Sequence, residues 1–277
     1  MYGAPHTRLG CSTISFRHLD LEMALAWIGQ LGFRRIDLGA LPGVCDHVPY
    51  ELDARAVASV AATVRASDLR VRSINGDIGD LNLPLDAAAR EARDRHLDAL
   101  LSLARAVGSP ALVLPCGALS HDPHRDLDSD LDLVAAELIR AAGRAADYGV
   151  EIWTESLHFH RLCHDLDRAQ ALADRLAGRP VGIVMDFSHI VASGGDPRDF
   201  VARFGDRITH AHIRDAEPGN INLSVGRGRV DFAAGLKTLA DAGYTGHFAL
   251  ELETRDVTND ERPMATAAAA RLISDLI

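Results

Sequence analysis

The chain has 277 residues, 47% of them hydrophobic, which suits one large core of the size at which a single α/β barrel is common. Its 29 lysines and arginines against 39 aspartates and glutamates leave a formal charge of −10, with no basic block to counter it, which argues against nucleic acid as a partner. Four scattered cysteines without a CxxC pair, no run of about 20 apolar residues and an amino-terminal MYGAPHTRLG without an apolar leader core predict a soluble, unprocessed, single-domain cytoplasmic protein with no membrane partner.

Short apolar runs rich in β-branched residues alternate with longer Ala-, Leu- and Arg-rich segments of helical period. In chain order the expected strands are RLGCSTIS (8–15), FRRIDLG (33–39), RVRSING (70–76), ALVLPCG (111–117), GVEIWTES (149–156), VGIVMDF (181–187), RITHAHIR (207–214) and HFALELE (247–253). Between them LEMALAWIGQLG, ARAVASVAATVRAS, AAAREARDRHLDALLSLARAVG, LDLVAAELIRAAGRAADYG, DRAQALADRLAG and FAAGLKTLADAG read as helices, most of them stopping at glycine as C-termini often do. Strands joined through helices run parallel, and eight such units predict a (β/α)8 TIM barrel with its working face at the strands' C-terminal ends. A doubly wound open sheet is the competing architecture, but no GxGxxG follows the first strand. The polar stretch GALSHDPHRDLDSD (117–130) is expected to be a loop after strand four, in the position of a lid.

Strand ends of a barrel face one pocket, so their residues are read together. Strand five ends in Glu155, strand six in Asp186, strand seven holds His210 and His212, and strand eight holds Glu251 and Glu253. Glu155, Asp186, His212 and Glu251 are 31, 26 and 39 residues apart, about one strand-plus-helix unit each, so only the fold can bring them together. Three carboxylates packed without a cation would repel one another and be forced to take up protons. A divalent metal removes that difficulty. One imidazole and three carboxylates are an oxygen-rich set, suited to Mn²⁺ or Mg²⁺ first and to Co²⁺ or Zn²⁺ second.

VEIWTES, VMDFSH, HAHIRDA, VGRGRVDF and GYTGHFALELE resemble the xylose-isomerase-like barrel superfamily, and within it the sugar phosphate isomerase/epimerase proteins. The resemblance runs through the whole chain, strongest over residues 150–253, with GFRRIDLG the main matching piece near the amino terminus. It implies that Glu155, Asp186, His212 and Glu251 bind one divalent metal, and that Glu155 and Glu251 also move protons on opposite faces of a sugar or polyol substrate. It places His189, one helical turn past Asp186, against a substrate hydroxyl. The implied reaction is isomerisation or epimerisation of a ketose or keto-polyol through an enediolate. A dehydratase or lyase on a keto-cyclitol or keto-sugar is the alternative, since the superfamily includes both. An apurinic endonuclease would need histidines ending strands three and four, where this chain has SINGD and LPCGAL. A sugar-binding barrel without catalysis is the remaining reading.

Arg214 shares a strand face with His212 at period two, and either holds substrate oxygens or pairs with Asp215 or Asp186. Arg227 and Arg229 in GRGR are candidates for gripping a phosphate near strands seven and eight. HFHRLCH (158–164) fits no zinc spacing and is expected to be loop near the pocket, with His158 contacting substrate. His121 and His124 are expected in solvent, Trp27 and Phe33 in the core, and Trp153 either outward or walling the pocket. The sequon at Asn222 has no role without secretion. Barrels of this kind often pair, so a homo-oligomer is an open expectation.

Overall fold

The computed structural model describes residues 4–277, so the first three residues of MYGAPHTRLG lie outside the described residues. Eight parallel strands close a barrel: β1 (Leu9–Ser12), β2 (Arg35–Ala40), β3 (Arg70–Gly76), β4 (Ala111–Pro115), β5 (Glu151–Glu155), β6 (Val181–Asp186), β7 (Ile208–Ile213) and, after a small hairpin of β8 (Asp215–Glu217) and β9 (Asn220–Leu223), β10 (His247–Leu250). Neighbours follow chain order from β1 to β7, and β10 closes the ring between β7 and β1. The (β/α)8 expectation is met, and the open sheet is excluded. No helix of the described residues is long and apolar enough to cross a membrane.

The helices are α1 (Leu21–Gln30), α2 (Ala54–Ala66), α3 (Ala87–Val107), α4 (Leu127–Ala146), α5 (Leu166–Arg175), α6 (Phe187–Ala192), α7 (Pro197–Phe204), α8 (Phe232–Asp241) and α9 (Arg262–Ser274). From α1 to α8 each begins on an aspartate whose carboxylate accepts a backbone N–H of the first turn, from Asp20 through Asp231. Such a cap contributes about 1 kcal/mol and ends the preceding loop at a defined residue. The main core fills the layer between barrel and helices, with Ile36, Leu38, Leu112, Leu114, Ile183 and Ile213 facing Leu97, Leu101, Leu138 and Leu172. A separate cluster of Ala111, Val113, Trp153 and Val184 fills the barrel axis.

Several expectations move. β1 stops at Ser12, whose Oγ accepts from Ile14 N–H to start a 3₁₀ turn over Thr13–Phe16. β10 stops at Leu250, which leaves Glu251 and Glu253 just beyond it, although Glu251 N–H still donates to Ile213 O at 3.1 Å. The stretch 117–130 is shorter as a loop, because Asp126 caps α4, and buried Asp130 ties it down by accepting from Asn82 Nδ2 and His124 N–H at 2.8 and 2.7 Å. α6, α7, the β8–β9 hairpin and α9 are additions. The first two are single short elements within one connection, and α9 is an alanine-rich run whose small apolar residues mark no face. Trp153 does neither thing expected of it. Sharing the inward face of β5 with Glu155, it is buried on the barrel axis, its ring centroid 5.6 Å from that of His210.

Candidate functional site

Glu155 and Asp186 are the last residues of β5 and β6, His212 is the last but one of β7, and Glu251 follows β10 directly. Alternation along a strand turns all four inward at the same level, and each offers a ligand atom within 4.8 Å of the others. His212 Nδ1 lies 2.9 Å from Glu155 Oε1 and 3.4 Å from Glu251 Oε2. Asn75, at the end of β3, donates to Glu251 Oε1 at 2.7 Å. Asp186 is divided in use: Oδ1 caps α6 through Ser188 and His189 N–H, while buried Oδ2 accepts no hydrogen bond. A buried carboxylate oxygen without a hydrogen bond, 3.5 Å from the Arg214 guanidinium, together with two further carboxylates and an imidazole is a donor set that fits a divalent cation.

The same crowding sets the protonation of the metal-free site. Burial raises the Glu155 carboxyl above the usual range, opposed by its bond to His212 and reinforced by Glu251 and Asp186. Burial works against charge on His212, but Glu251, Asp37 and Glu155 around it hold the imidazolium well above the ordinary value. On the other side of that ring, Asp37 of β2 places Oδ2 3.4 Å from His212 Nε2 and 2.6 Å from His210 Nε2. Burial penalises the Asp37 charge, yet the two imidazoles carry its carboxyl far below the normal range.

His158 and His189 stand opposite, their ring centroids 3.8 Å apart, and with Glu155 they too bring ligand atoms within 4.8 Å. Their hydrogen bonds differ from those of His212. Phe159 N–H donates to His189 Nδ1 at 3.1 Å and His160 N–H to His158 Nδ1 at 3.3 Å. A nitrogen that accepts an N–H carries no proton, so neutral His158 has its hydrogen on Nε2 and presents a donor to the pocket, whereas His189 meets a donor at both nitrogens, the Phe159 N–H at Nδ1 and the Arg214 guanidinium 3.3 Å from Nε2. Burial, then nearby His189 and Arg161 for His158 and nearby Arg214 for His189, keeps both well below the ordinary imidazole range. The turn supplying the two amides is pinned by Arg161, which donates to Gly117 O at 2.8 Å and to Asp77 at 2.9 Å.

These groups open on a cavity of about 250 Å³, the room of roughly eight waters. Leu41, Pro42, Val44 and Leu119 form an apolar side, and Asp77, His160, Glu253 and Arg255 a polar one. Arg214 lies in it, fully buried, held by Ser188 Oγ at 3.0 Å, Glu253 at 3.3 Å and Asp186 at 3.5 Å. Its neighbour Asp215 is not a partner. That carboxylate instead accepts the N–H groups of Gly226, Gly228 and Val230, so the GRGR turn wraps an internal acid and a Cβ on Gly228 would meet it at 2.2 Å. Arg227 points to Asp256 at 3.5 Å, and neither it nor Arg229 lines the cavity, which removes the phosphate grip expected of them.

HFHRLCH does not assemble a metal set, since Cys163 is buried against Cys116 and His164 stacks on His121 at 3.9 Å. β3 and β4 end in Gly76 and Pro115 rather than histidines. Sequence reasoning missed Asp37, Asn75, Asp77 and Arg161. Asn75 and Asp77 close a strand-end motif that had been read only for missing histidines, whereas Asp37 and Arg161 carry no local signal.

A parallel barrel with a carboxylate and imidazole centre at its C-terminal mouth is the class that fold and site define. The chain belongs to the xylose isomerase-like TIM barrel family, whose model matches residues 25–276. It is similar to an inosose dehydratase of Lacticaseibacillus casei, 27% identical over 149 residues that make up 46% of this chain and 48% of that one. Other curated relatives are likewise matched over less than half of their length. D-psicose 3-epimerase from Clostridium cellulolyticum H10, solved with D-tagatose, has a TM-score of 0.80 at 15% identity, over 97% of this chain and 99% of that one. The IOLI protein, solved with a zinc atom, has a TM-score of 0.79 at 17% identity, over 98% and 99%. At these identities the structural likenesses speak to fold.

Proposed function

We propose that this protein is a divalent-metal-dependent isomerase or epimerase of a ketose or keto-polyol, with Glu155, Asp186, His212 and Glu251 as ligands of one Mn²⁺ or Mg²⁺ and Glu155 and Glu251 as the proton-moving pair. One observation carries the reading: three carboxylates from three strand ends meet one imidazole in a buried pocket, each with a ligand atom within 4.8 Å of the others, and Asp186 Oδ2 makes no hydrogen bond, its Arg214 contact being 3.5 Å long. The oxygen-rich set favours the harder ions, and the zinc of the IOLI structure keeps Zn²⁺ and Co²⁺ in view. When bound, the cation supplies Lewis-acid polarisation of a carbonyl and the hydroxyl beside it.

The chain's own groups do the rest. One glutamate takes the proton from the carbon beside the carbonyl, the electron pair passes into an enediolate, and a glutamate returns a proton. Return to the opposite face gives an epimer, and return to the neighbouring carbon gives aldose–ketose exchange. Asn75 and His212 hold Glu251 and Glu155 in place, and the His158 Nε2–H, the His189 ring and the Arg214 guanidinium beside it hold substrate oxygens. A cavity of about 250 Å³ suits a single sugar or cyclitol ring.

The match to an inosose dehydratase supports a second reading, in which the same carbanion expels a β-hydroxyl as water. Metal content of the purified protein and of a Glu155→Gln/Glu251→Gln variant, measured by mass spectrometry, tests the common part. Near-stoichiometric metal in the first and none in the second is expected, and no metal in either sinks the mechanism. Ketoses and inososes incubated in deuterated water then separate the readings: deuterium in recovered sugar supports isomerisation, loss of water supports dehydration.

A further inference from the structure

Asp37 has no part in the chemistry described above, yet it is as enclosed as Asp186 of the site itself. It lies on β2 inside the barrel, 1% exposed, on the side of His212 away from the pocket. A buried carboxylate costs several kcal/mol unless it is paired, and an apolar residue would fill a barrel axis without that cost. Its Oδ2 is hydrogen-bonded to His210 Nε2 at 2.6 Å and lies 3.4 Å from His212 Nε2, a charge contact without hydrogen-bond geometry, and the two rings stand at 89° to each other. Distance alone would let the three form a second cation site. Against that, His210 is bonded directly to Asp37 at 2.6 Å, which leaves no room for an ion between them. An ion held by His212 Nδ1 would leave Nε2 as the ring's one N–H, and the Asp37 carboxylate 3.4 Å away is the acceptor on that side.

We infer that Asp37 is a positioning residue for the metal centre: it keeps the hydrogen of His212 on Nε2, so that Nδ1 turns its lone pair to the space between Glu155 and Glu251. His210 completes the arrangement by fixing the Asp37 carboxylate from the next inward position of β7, two residues before His212. The inference rests on the proposed metal site but not on the reaction run there. It makes Asp37, His212 and the bound ion a carboxylate–imidazole–metal relay, in which the carboxylate acts only through the ring.

The alternative role for Asp37 is an ion pair with His210 and nothing more, and the two roles separate in one experiment. Asp37→Leu/His210→Leu removes the buried pair as a unit, and Asp37→Asn keeps the volume with less charge. Zn²⁺ and Mn²⁺ affinities of wild type and both variants are measured by competition with a chelator, with the melting temperature of each metal-free form as the control for folding. A loss of about tenfold to a hundredfold in affinity in whichever variant folds, with ¹⁵N spectra of the zinc form showing His212 protonated on Nε2 in the wild type, is the expected result. Affinity within threefold of wild type in a folded variant, or an Nδ1–H signal from zinc-loaded wild type, overturns the inference and leaves Asp37 as a partner of His210. Failure of the wild type to bind either ion overturns both this inference and the metal site. Metal bound without any turnover of ketoses or inososes overturns the reaction alone.

Discussion

His212 and His189 are both buried imidazoles within reach of Glu155, and what stands behind each ring makes them opposites. Behind His212 is the Asp37 carboxylate, an acceptor, and in front are Glu155 and Glu251. Behind His189 is the Phe159 amide, a donor, and His158 has the His160 amide in the same place. Carboxylates on both sides hold His212 as an imidazolium in the metal-free site, whereas the amides behind His189 and His158 make Nδ1 of each neutral ring an acceptor. Proximity to a carboxylate therefore does not make a ligand. In the proposed reading one side of the pocket holds the cation and the other a substrate oxygen.

Four measurements sharpen or break this contrast. The largest effect is expected from His212→Gln, which removes a ligand and should weaken metal binding by more than the roughly 10–100-fold of an outer-shell change, in a chelator competition. If His212→Gln and His189→Gln weaken binding equally, the contrast is wrong.

Next is pH. His212 and Glu155 have raised values in the metal-free site, so they hold protons that a cation must displace, whereas His158 and His189 are lowered and already neutral. Affinity should fall about tenfold per pH unit for each proton released as pH drops below the raised values, and the slope should survive His189→Gln. Asn75→Ala comes third: it frees Glu251 Oε1 and should cost about tenfold in metal affinity, without the loss of a ligand. The smallest change in metal affinity, within about threefold, belongs to His158→Gln and His189→Phe. Of these two, His189→Phe should nevertheless lower substrate proton exchange by about tenfold or more, because the ring that holds the Arg214 guanidinium against the substrate loses its polar contact.

The barrel was legible because its signals are local. The run RVRSING matches β3 residue for residue, and VGIVMD stops at the aspartate that caps α6. Glu155, Asp186, His212 and Glu251 could be picked out because a strand's end marks the mouth of a barrel, whatever the loops do. The β8–β9 hairpin escaped because three- and four-residue strands are too short to show a period, and α9 because alanine carries none. Arg227 and Arg229 misled for a related reason: a basic pair beside glycines looks like an anion grip until Asp215 is seen occupying the turn.

The sequence by itself therefore determined the alternation of strands and helices, the closed parallel architecture it demands, and which acidic and imidazole side chains reach the working face. Those follow from periodicity within a few residues. The tertiary structure alone decided which histidine is enclosed by carboxylates and which are backed by amide donors. That choice depends on partners such as Asp37, 175 residues before His212, and Phe159, 30 before His189, and no local pattern records which group will stand behind a ring.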